Sequence, residues 1–226
     1  MNAPLIHLAT VDSTQAFLRR HPELGFCAVL ADRQTAGRGR QGNRWESAPG
    51  AGLWFSAAVP PRPGLPPGLV MQRAMAVVAR VLDPEGRTLG LKWPNDLVAW
   101  QDGRLRKLGG ILGEQIGGRL LLGVGVNLVS APDLPDRAIP AGCLKDLGLE
   151  APPVEDIALA LFSGWKDGEE HVSWPFRWPA EGDSLHWEEG RGTCLEWEPD
   201  GRLKVATAAG VERLSAGDLR GLATER

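Results

Sequence analysis

The sequence predicts an α+β fold: a mixed, largely antiparallel sheet flanked by helices, followed by a small C-terminal β-barrel. Three observations point there. Apolar runs of strand length are separated by turn residues, with 29 glycines and 18 prolines spread over 226 residues. Only three segments carry helical periodicity. Beyond residue 183 the pattern turns to short strands broken by EEGRG, PDG and AAG, the cadence of a small barrel.

Each element follows from local signals. LIHLA (Leu5 to Ala9) reads as a strand. Asp12 or Ser13 caps a short helix through about Arg20, which Pro22 ends. FCAVLAD (Phe26 to Asp32) is apolar enough to be a buried strand. A Gly/Arg loop follows, then the strand AGLWFSAAVP, stopped by the prolines at 60–67. Gly68 to Leu82 is helical, entered through Pro66 and Pro67. From 89 to 129, apolar runs joined by QDGR and GG predict an antiparallel meander. VEDIALALFSGWKDGEEHV reads as an amphipathic helix, and PFRWPAEGD (Pro175 to Asp183) as a linker. This divides the chain into a core, 1–180, and a β module, 181–226. The core has net charge +1 and the β module −4.

Composition narrows the function. A hydrophobic fraction of 43% with 23% charged residues is that of a soluble globular chain. A net charge of −3 gives no bulk case for nucleic-acid binding. Cys27, Cys143 and Cys194 form no CxxC pair, which argues against structural zinc or disulfides and fits a reducing compartment. The N-terminus has no signal-peptide pattern and no apolar run reaches membrane length, so a cytoplasmic location is expected.

The stretch TAGRGRQGNRW (Thr35 to Trp45) contains Gly37-x-Gly39-x-x-Gly42, formally a dinucleotide fingerprint. That reading needs a helix after the glycines and an acid about 20 residues on. Pro49, Gly50 and Gly52 deny the helix, and nothing acidic lies between Glu46 and Asp83. No Gly-Lys-Ser/Thr exists for a phosphate loop. What remains is a solvated surface loop or an anion clamp. Alternating glycines free backbone N–H groups for an anion, and Arg38 and Arg40 supply fork-shaped donors for phosphate or carboxylate.

A second block, LKWPNDLVAWQDGRLRKLGGILGE, sets Lys92, Asn95, Asp96 and Lys107 at the ends of apolar strands. Asn95 and Asp96 suit either Mg²⁺ and phosphate contacts or a simple Asx turn. Lys107 reads as an edge lysine or a ligand contact, beside Gly109 and Gly110, which allow close approach to the strand. GVGVN (Gly123 to Asn127) repeats small residues on an apolar strand that ends in an amide.

In order along the chain, DST (Asp12 to Thr14), QTAGRGR (Gln34 to Arg40), Trp45, KWPND (Lys92 to Asp96), KLGGIL (Lys107 to Leu112) and GVGVN resemble the motifs of the biotin protein ligases. The resemblance implies a class II synthetase-like ligase core with an SH3-like C-terminal barrel. It implies formation of biotinyl-5′-AMP from biotin and ATP with Mg²⁺, then biotin transfer to a lysine of a carboxylase's biotin carrier domain. Lys107, Arg38 and Arg40 would be catalytic. Ser13, Thr14 and Gln34, with the backbone around Gly110 and Gly113, would bind biotin beside those cations. Gly37, Arg40, Arg44, Trp45, Asn95, Asp96 and Asn127 would bind ATP, with Asp96 and Asn95 as the magnesium pair.

Two departures stand out. The family's further loop arginine, three positions after GRGR's last arginine, is Asn43 here, with Arg44 following; the usual STN is STQ, with Gln15. The absence of a preceding helix-turn-helix implies a ligase that does not bind DNA. A lipoate or octanoate ligase, and a non-catalytic biotin- or nucleotide-binding module, are the alternatives. The sequence leaves a homodimer open.

Overall fold

The computed structural model describes residues 4–134, 137–167, 174–217 and 219–221. Its first half runs β1 (Leu5–Val11), α1 (Thr14–Arg20), β2 (Ala28–Gln34), β3 (Gly52–Val59) and α2 (Pro67–Leu82). The meander follows as β4 (Leu89–Lys92), β5 (Asp96–Gln101), β6 (Arg104–Ile116) and β7 (Arg119–Asn127). Then come α3 (Val154–Asp167), β8 (Arg177–Trp178), β9 (Ser184–Trp187), β10 (Gly190–Trp197), β11 (Leu203–Thr207), β12 (Gly210–Leu214) and β13 (Arg220–Gly221). Residues 168–172 of the helix expected at the end of the core lie outside the described residues.

The first sheet has the order β1-β2-β3-β7-β6-β5-β4-β8. β1 pairs in parallel with β2, and the strands from β2 through β7, β6, β5 and β4 pair antiparallel. The fold is thus the mixed α+β class the sequence predicts.

The period of two assigns the faces. Ala28, Leu30, Phe55, Ala57 and Leu122 point into the main core with α2 and α3, where Met75, Val78 and Ile157 are fully buried. Their neighbours Val29, Ala58 and Leu121 point the other way and meet Leu18 of α1. Ser13 starts α1: it is extended, and its side chain accepts from Ala16 N. One face of the sheet therefore carries two long helices, and the other carries only a short one, which leaves room for a cavity.

The composition of 175–183 predicts a linker, but Arg177 and Trp178 form β8, paired in parallel with Leu91 and Lys92 of β4. Trp178 is buried, and the Lys92 ammonium lies 5.4 Å from its ring centroid. Burying so large an aromatic surface outweighs the turn-forming composition around it.

The C-terminal strands form a five-stranded sheet in the order β12-β11-β10-β9-β13, with antiparallel neighbours. Among the described residues it stays open, because no ladder joins β12 to β13. A second core ties it to the first sheet. Trp93, Val98 and Leu105 pack there with Leu185, Cys194, Leu203 and Val205. Gly201 at the PDG turn locks the joint: its carbonyl accepts from Gln72 Nε2 at 2.9 Å and Trp93 Nε1 at 3.0 Å.

Candidate active site

A cavity opens on the α1 face of the first sheet. Its floor follows from alternation. On β7, Val124 and Val126 face the main core, so Gly123 and Gly125 face the opposite side. Opposite them on β6 stand Leu112 and Gly110. The glycines remove the side chains that would otherwise fill this space. A Cβ on Gly123 would lie 2.8 Å from Gln15 Oε1, and one on Gly125 would lie 2.5 Å from Trp45 Nε1.

One end of the cavity is neutral and polar. Gln34 Oε1 accepts from Thr14 N at 2.9 Å and from Thr14 Oγ1 at 3.1 Å, and Gln34 Nε2 donates to Ser47 Oγ at 2.9 Å. Thr14 Oγ1 lies 2.7 Å from Ser56 Oγ. The backbone of the DST segment and the loop after β2 stay in register, since Thr35 N and Ala36 N donate to Val11 O and Asp12 O.

The other end is cationic. Residues 38–44 fold as a tight hairpin, with Arg38 bridged to Arg44 and Gly39 N donating to Asn43 O at 2.7 Å. Gly37 lets the hairpin close: a Cβ there would sit 2.4 Å from Trp45 O. Arg40 donates to Asn95 Oδ1 at 3.1 Å, so the hairpin reaches the KWPND turn. Lys107 Nζ lies 2.7 Å from Asp96 Oδ1 and 5.8 Å from the Trp45 ring centroid.

Lys107 and Gly110 share a face although they are three residues apart. The ladder with β5 shifts between Leu97 and Val98, placing Gly109 opposite Leu97 and Lys107 opposite Val98. The extra residue is a bulge on β6, which reverses the alternation beyond it and re-aims the lysine.

The cavity wall includes Ser13, Thr14, Gln34, Arg38, Arg40, Arg44, Trp45, Asn95, Asp96, Lys107, Gly110 and Asn127. Of the expected site residues, Gly37 and Gly113 do not line it. Gly113 alternates with Leu112 and so faces α2, where a Cβ would meet Met71 Sδ at 3.3 Å. Ser13 and Asn127 spend polar atoms on structure: Ser13 Oγ caps α1, and Asn127 Nδ2 donates to Gly142 O at 3.1 Å.

Sequence reasoning missed Ser56, Phe55, Ile139 and Arg137, all in the wall. Ser56 was detectable as the lone hydroxyl in an apolar strand. Arg137 and Ile139 belong to no helix or strand and gave no signal.

Asn95 and Asp96, expected as a magnesium pair, already have protein partners. Asn95 Oδ1 accepts from Arg40 and its Nδ2 donates to Ile111 O at 2.6 Å, while Asp96 faces Lys107 and, at 3.8 Å, Lys92. Magnesium requires an octahedral set of oxygens. This pair offers one carboxylate, already faced by two ammonium groups, so an ion held there would draw most of its oxygens from water and the nucleotide's phosphates.

A mixed sheet with a cationic loop and lysine at one end of a cavity, and a neutral amide–hydroxyl network at the other, defines a site suited to a ligand with one anionic and one neutral end. The profile of the biotin/lipoate A/B protein ligase family matches residues 9–129, and the chain belongs to that family.

Relatives agree. The biotin–[acetyl-CoA-carboxylase] ligase of Paracoccus denitrificans is 32% identical over 178 residues, covering 70% of this chain and 71% of that protein. The ligase of that name from Mycobacterium tuberculosis is 38% identical over 142 residues, covering 59% of this chain and 50% of its own length. The bifunctional ligase/repressor BirA of Bacillus subtilis is 28% identical over 222 residues, covering 84% of this chain; the chain spans 65% of BirA.

Among solved structures, the Aquifex aeolicus biotin protein ligase in complex with biotin and ATP has a TM-score of 0.76 at 24% identity. The match covers 96% of this chain and 99% of that one, a likeness of fold. The Leishmania major enzyme in complex with biotinyl-5-AMP has a TM-score of 0.57 at 28% identity, covering 96% and 100%.

Proposed function

We propose that this chain is an ATP-dependent biotin protein ligase. The observation that carries this reading is the division of one cavity into a neutral end, Thr14–Gln34–Ser56, and a cationic end, Arg38, Arg40, Arg44 and Lys107. Biotin has the same division: a neutral ureido ring and a carboxylate. The names of the relatives support it.

In the first half-reaction a biotin carboxylate oxygen attacks the α-phosphorus of ATP. The bond to the bridging oxygen breaks, pyrophosphate leaves, and biotinyl-5′-AMP remains. Both reactants are anions, so their approach requires compensating charge held in place beforehand. Arg38 and Arg40 receive the carboxylate and α-phosphate. Lys107, aimed by the β6 bulge and held by Asp96, balances the charge of in-line transfer. Trp45, seated on Gly125, covers the nucleotide side. No step runs through a protein-held magnesium at Asn95 and Asp96.

In the second half-reaction the neutral amine of a carrier-domain lysine attacks the acyl carbonyl of the mixed anhydride. The acyl–phosphate bond breaks and AMP leaves. A biotin carrier domain of a carboxylase is the acceptor in this reading. The cytoplasm suits it, since Cys27, Cys143 and Cys194 are free and buried. No described helix is long and apolar enough to cross a membrane.

The test is exchange of labelled pyrophosphate into ATP, with biotin or lipoate added. Exchange with biotin alone is expected. Exchange only with lipoate would reassign the substrate, and exchange with neither would leave a binding module.

A further inference from the structure

The cationic end of the cavity holds one arginine that comes from outside the glycine-arginine loop. Arg137 Nη2 donates to Asn43 Oδ1 at 2.9 Å across 94 residues of sequence, and both residues line the cavity. The same Asn43 side chain donates from Nδ2 to Arg40 O at 3.0 Å. One amide thus ties two arginine-bearing segments together. We propose that Arg137 is a phosphate-binding residue for the nucleoside triphosphate and that Asn43 positions it. The proposal rests on the ligase reading above.

Three observations carry it. Arg137 has a neutral partner in Asn43 and, among the described residues, meets no carboxylate. The cavity wall holds five cationic side chains against the two carboxylates of Glu46 and Asp96, and Asp96 is already taken by Lys107. Like charges gathered without counter-charge repel one another, and a polyanion in their midst offsets that cost.

The chain that follows Arg137 is also tied to β6. Arg137 N donates to Leu134 O at 3.1 Å, Lys107 N donates to Pro140 O, and Gly142 N donates to Lys107 O, both at 2.9 Å. The chain three residues beyond Arg137 is therefore paired with the backbone of Lys107, the lysine at the reacting centre. Its planar fork of donors suits phosphate oxygens. It takes no part in the Thr14–Gln34–Ser56 network, so its influence should fall on the nucleotide and not on the acyl substrate.

The experiment compares Arg137→Ala, Arg137→Lys, Asn43→Ala and the double variant Asn43→Ala/Arg137→Ala in the full chain. Pyrophosphate exchange gives KM for ATP and kcat. Calorimetry gives the affinities of biotin alone and of a non-hydrolysable ATP analogue. Arg137→Ala should raise KM for ATP and weaken the analogue about tenfold, leaving the biotin dissociation constant within about twofold. Arg137→Lys should recover part of the loss. Asn43→Ala should raise KM for ATP less, and the double variant should lose less than the product of the two single effects, since one of the two Asn43 side-chain hydrogen bonds acts through Arg137.

Unchanged nucleotide affinity in Arg137→Ala would overturn the proposal, as would an equal loss of biotin affinity, which would mark general damage to the cavity. Absence of biotin-dependent exchange in the wild type would sink the ligase reading instead. The analogue titration would still judge Arg137.

Discussion

Lys107 Nζ stands 2.7 Å from Asp96 Oδ1, and the two come from strands whose pairing slips by one residue between them. The carboxylate holds the ammonium at the cavity wall, while the bulge decides that it faces the cavity at all. Lys107→Ala should lower the adenylation rate by about 10²–10³, the usual cost of removing one preorganised charge at a reacting centre. The melting temperature should move little, because Lys92 still lies 3.8 Å from Asp96. Single-turnover adenylation and thermal unfolding separate the two effects. A collapse of the melting temperature in step with the rate would assign Lys107 to structure.

Gly125→Ala tests the seat of the indole. The added Cβ would lie 2.5 Å from Trp45 Nε1, too close for contact, so the ring must move off the floor. Overpacking of this kind costs about 1–3 kcal/mol. Expected are a changed tryptophan emission and a raised KM for ATP. Equal emission and KM in the variant and the wild type would show that Trp45 does not depend on this glycine.

Trp93→Phe tests the joint between the sheets. Trp93 is fully buried, and its indole N–H donates to Gly201 O. The substitution keeps most of the apolar volume but removes the donor, leaving Gln72 as the remaining partner of that carbonyl. A loss of about 1 kcal/mol in denaturant unfolding is expected. Because Trp93 precedes the turn that carries Asn95 and Asp96, adenylation should weaken as well. A variant as stable as the wild type would show that the hydrogen bond contributes nothing net.

Acid stability should report on Asp12. Two hydrogen bonds from Arg20 hold its carboxyl down to about 2, against an ordinary 3.8. A depressed carboxyl contributes stability that is fully present above the unfolded value and is lost as pH falls through the folded one. The window is therefore about pH 4 down to about pH 2. Asp12→Asn should flatten the slope of stability against pH there, and Arg20→Ala should move the loss to higher pH. Urea midpoints measured at several pH values would show this, and identical slopes for wild type and Asp12→Asn would refute it.

Much of the molecule was legible in the chain. The strand runs, the three helices and a cap at Asp12 or Ser13 follow from side-chain period and turn chemistry, which act over a few residues; the structure makes the cap Ser13. The cluster of Arg38, Arg40, Lys107 and the KWPND turn stood out because polar residues in that order along apolar strands are unusual. Gly113 shows where such reading stops: it directly follows the motif that holds Gly110, yet the period of two sends it to the opposite face, against Met71. β8 shows another limit. Its two residues look like linker until the edge of β4 offers them a partner.

By itself, then, the sequence determined the elements, the glycines that hollow the floor, and the kinds of charge available to the site. Only the tertiary structure decided the rest. The β6 bulge put Lys107 on the cavity face, Arg40 and Lys107 claimed the polar atoms proposed for a metal, and Arg137 joined Asn43 from 94 residues away. The physical reason is one of range. Propensity and period are written into neighbouring residues, whereas ladder register and the partner of a buried or cavity-facing polar group depend on segments that meet only when the chain is folded.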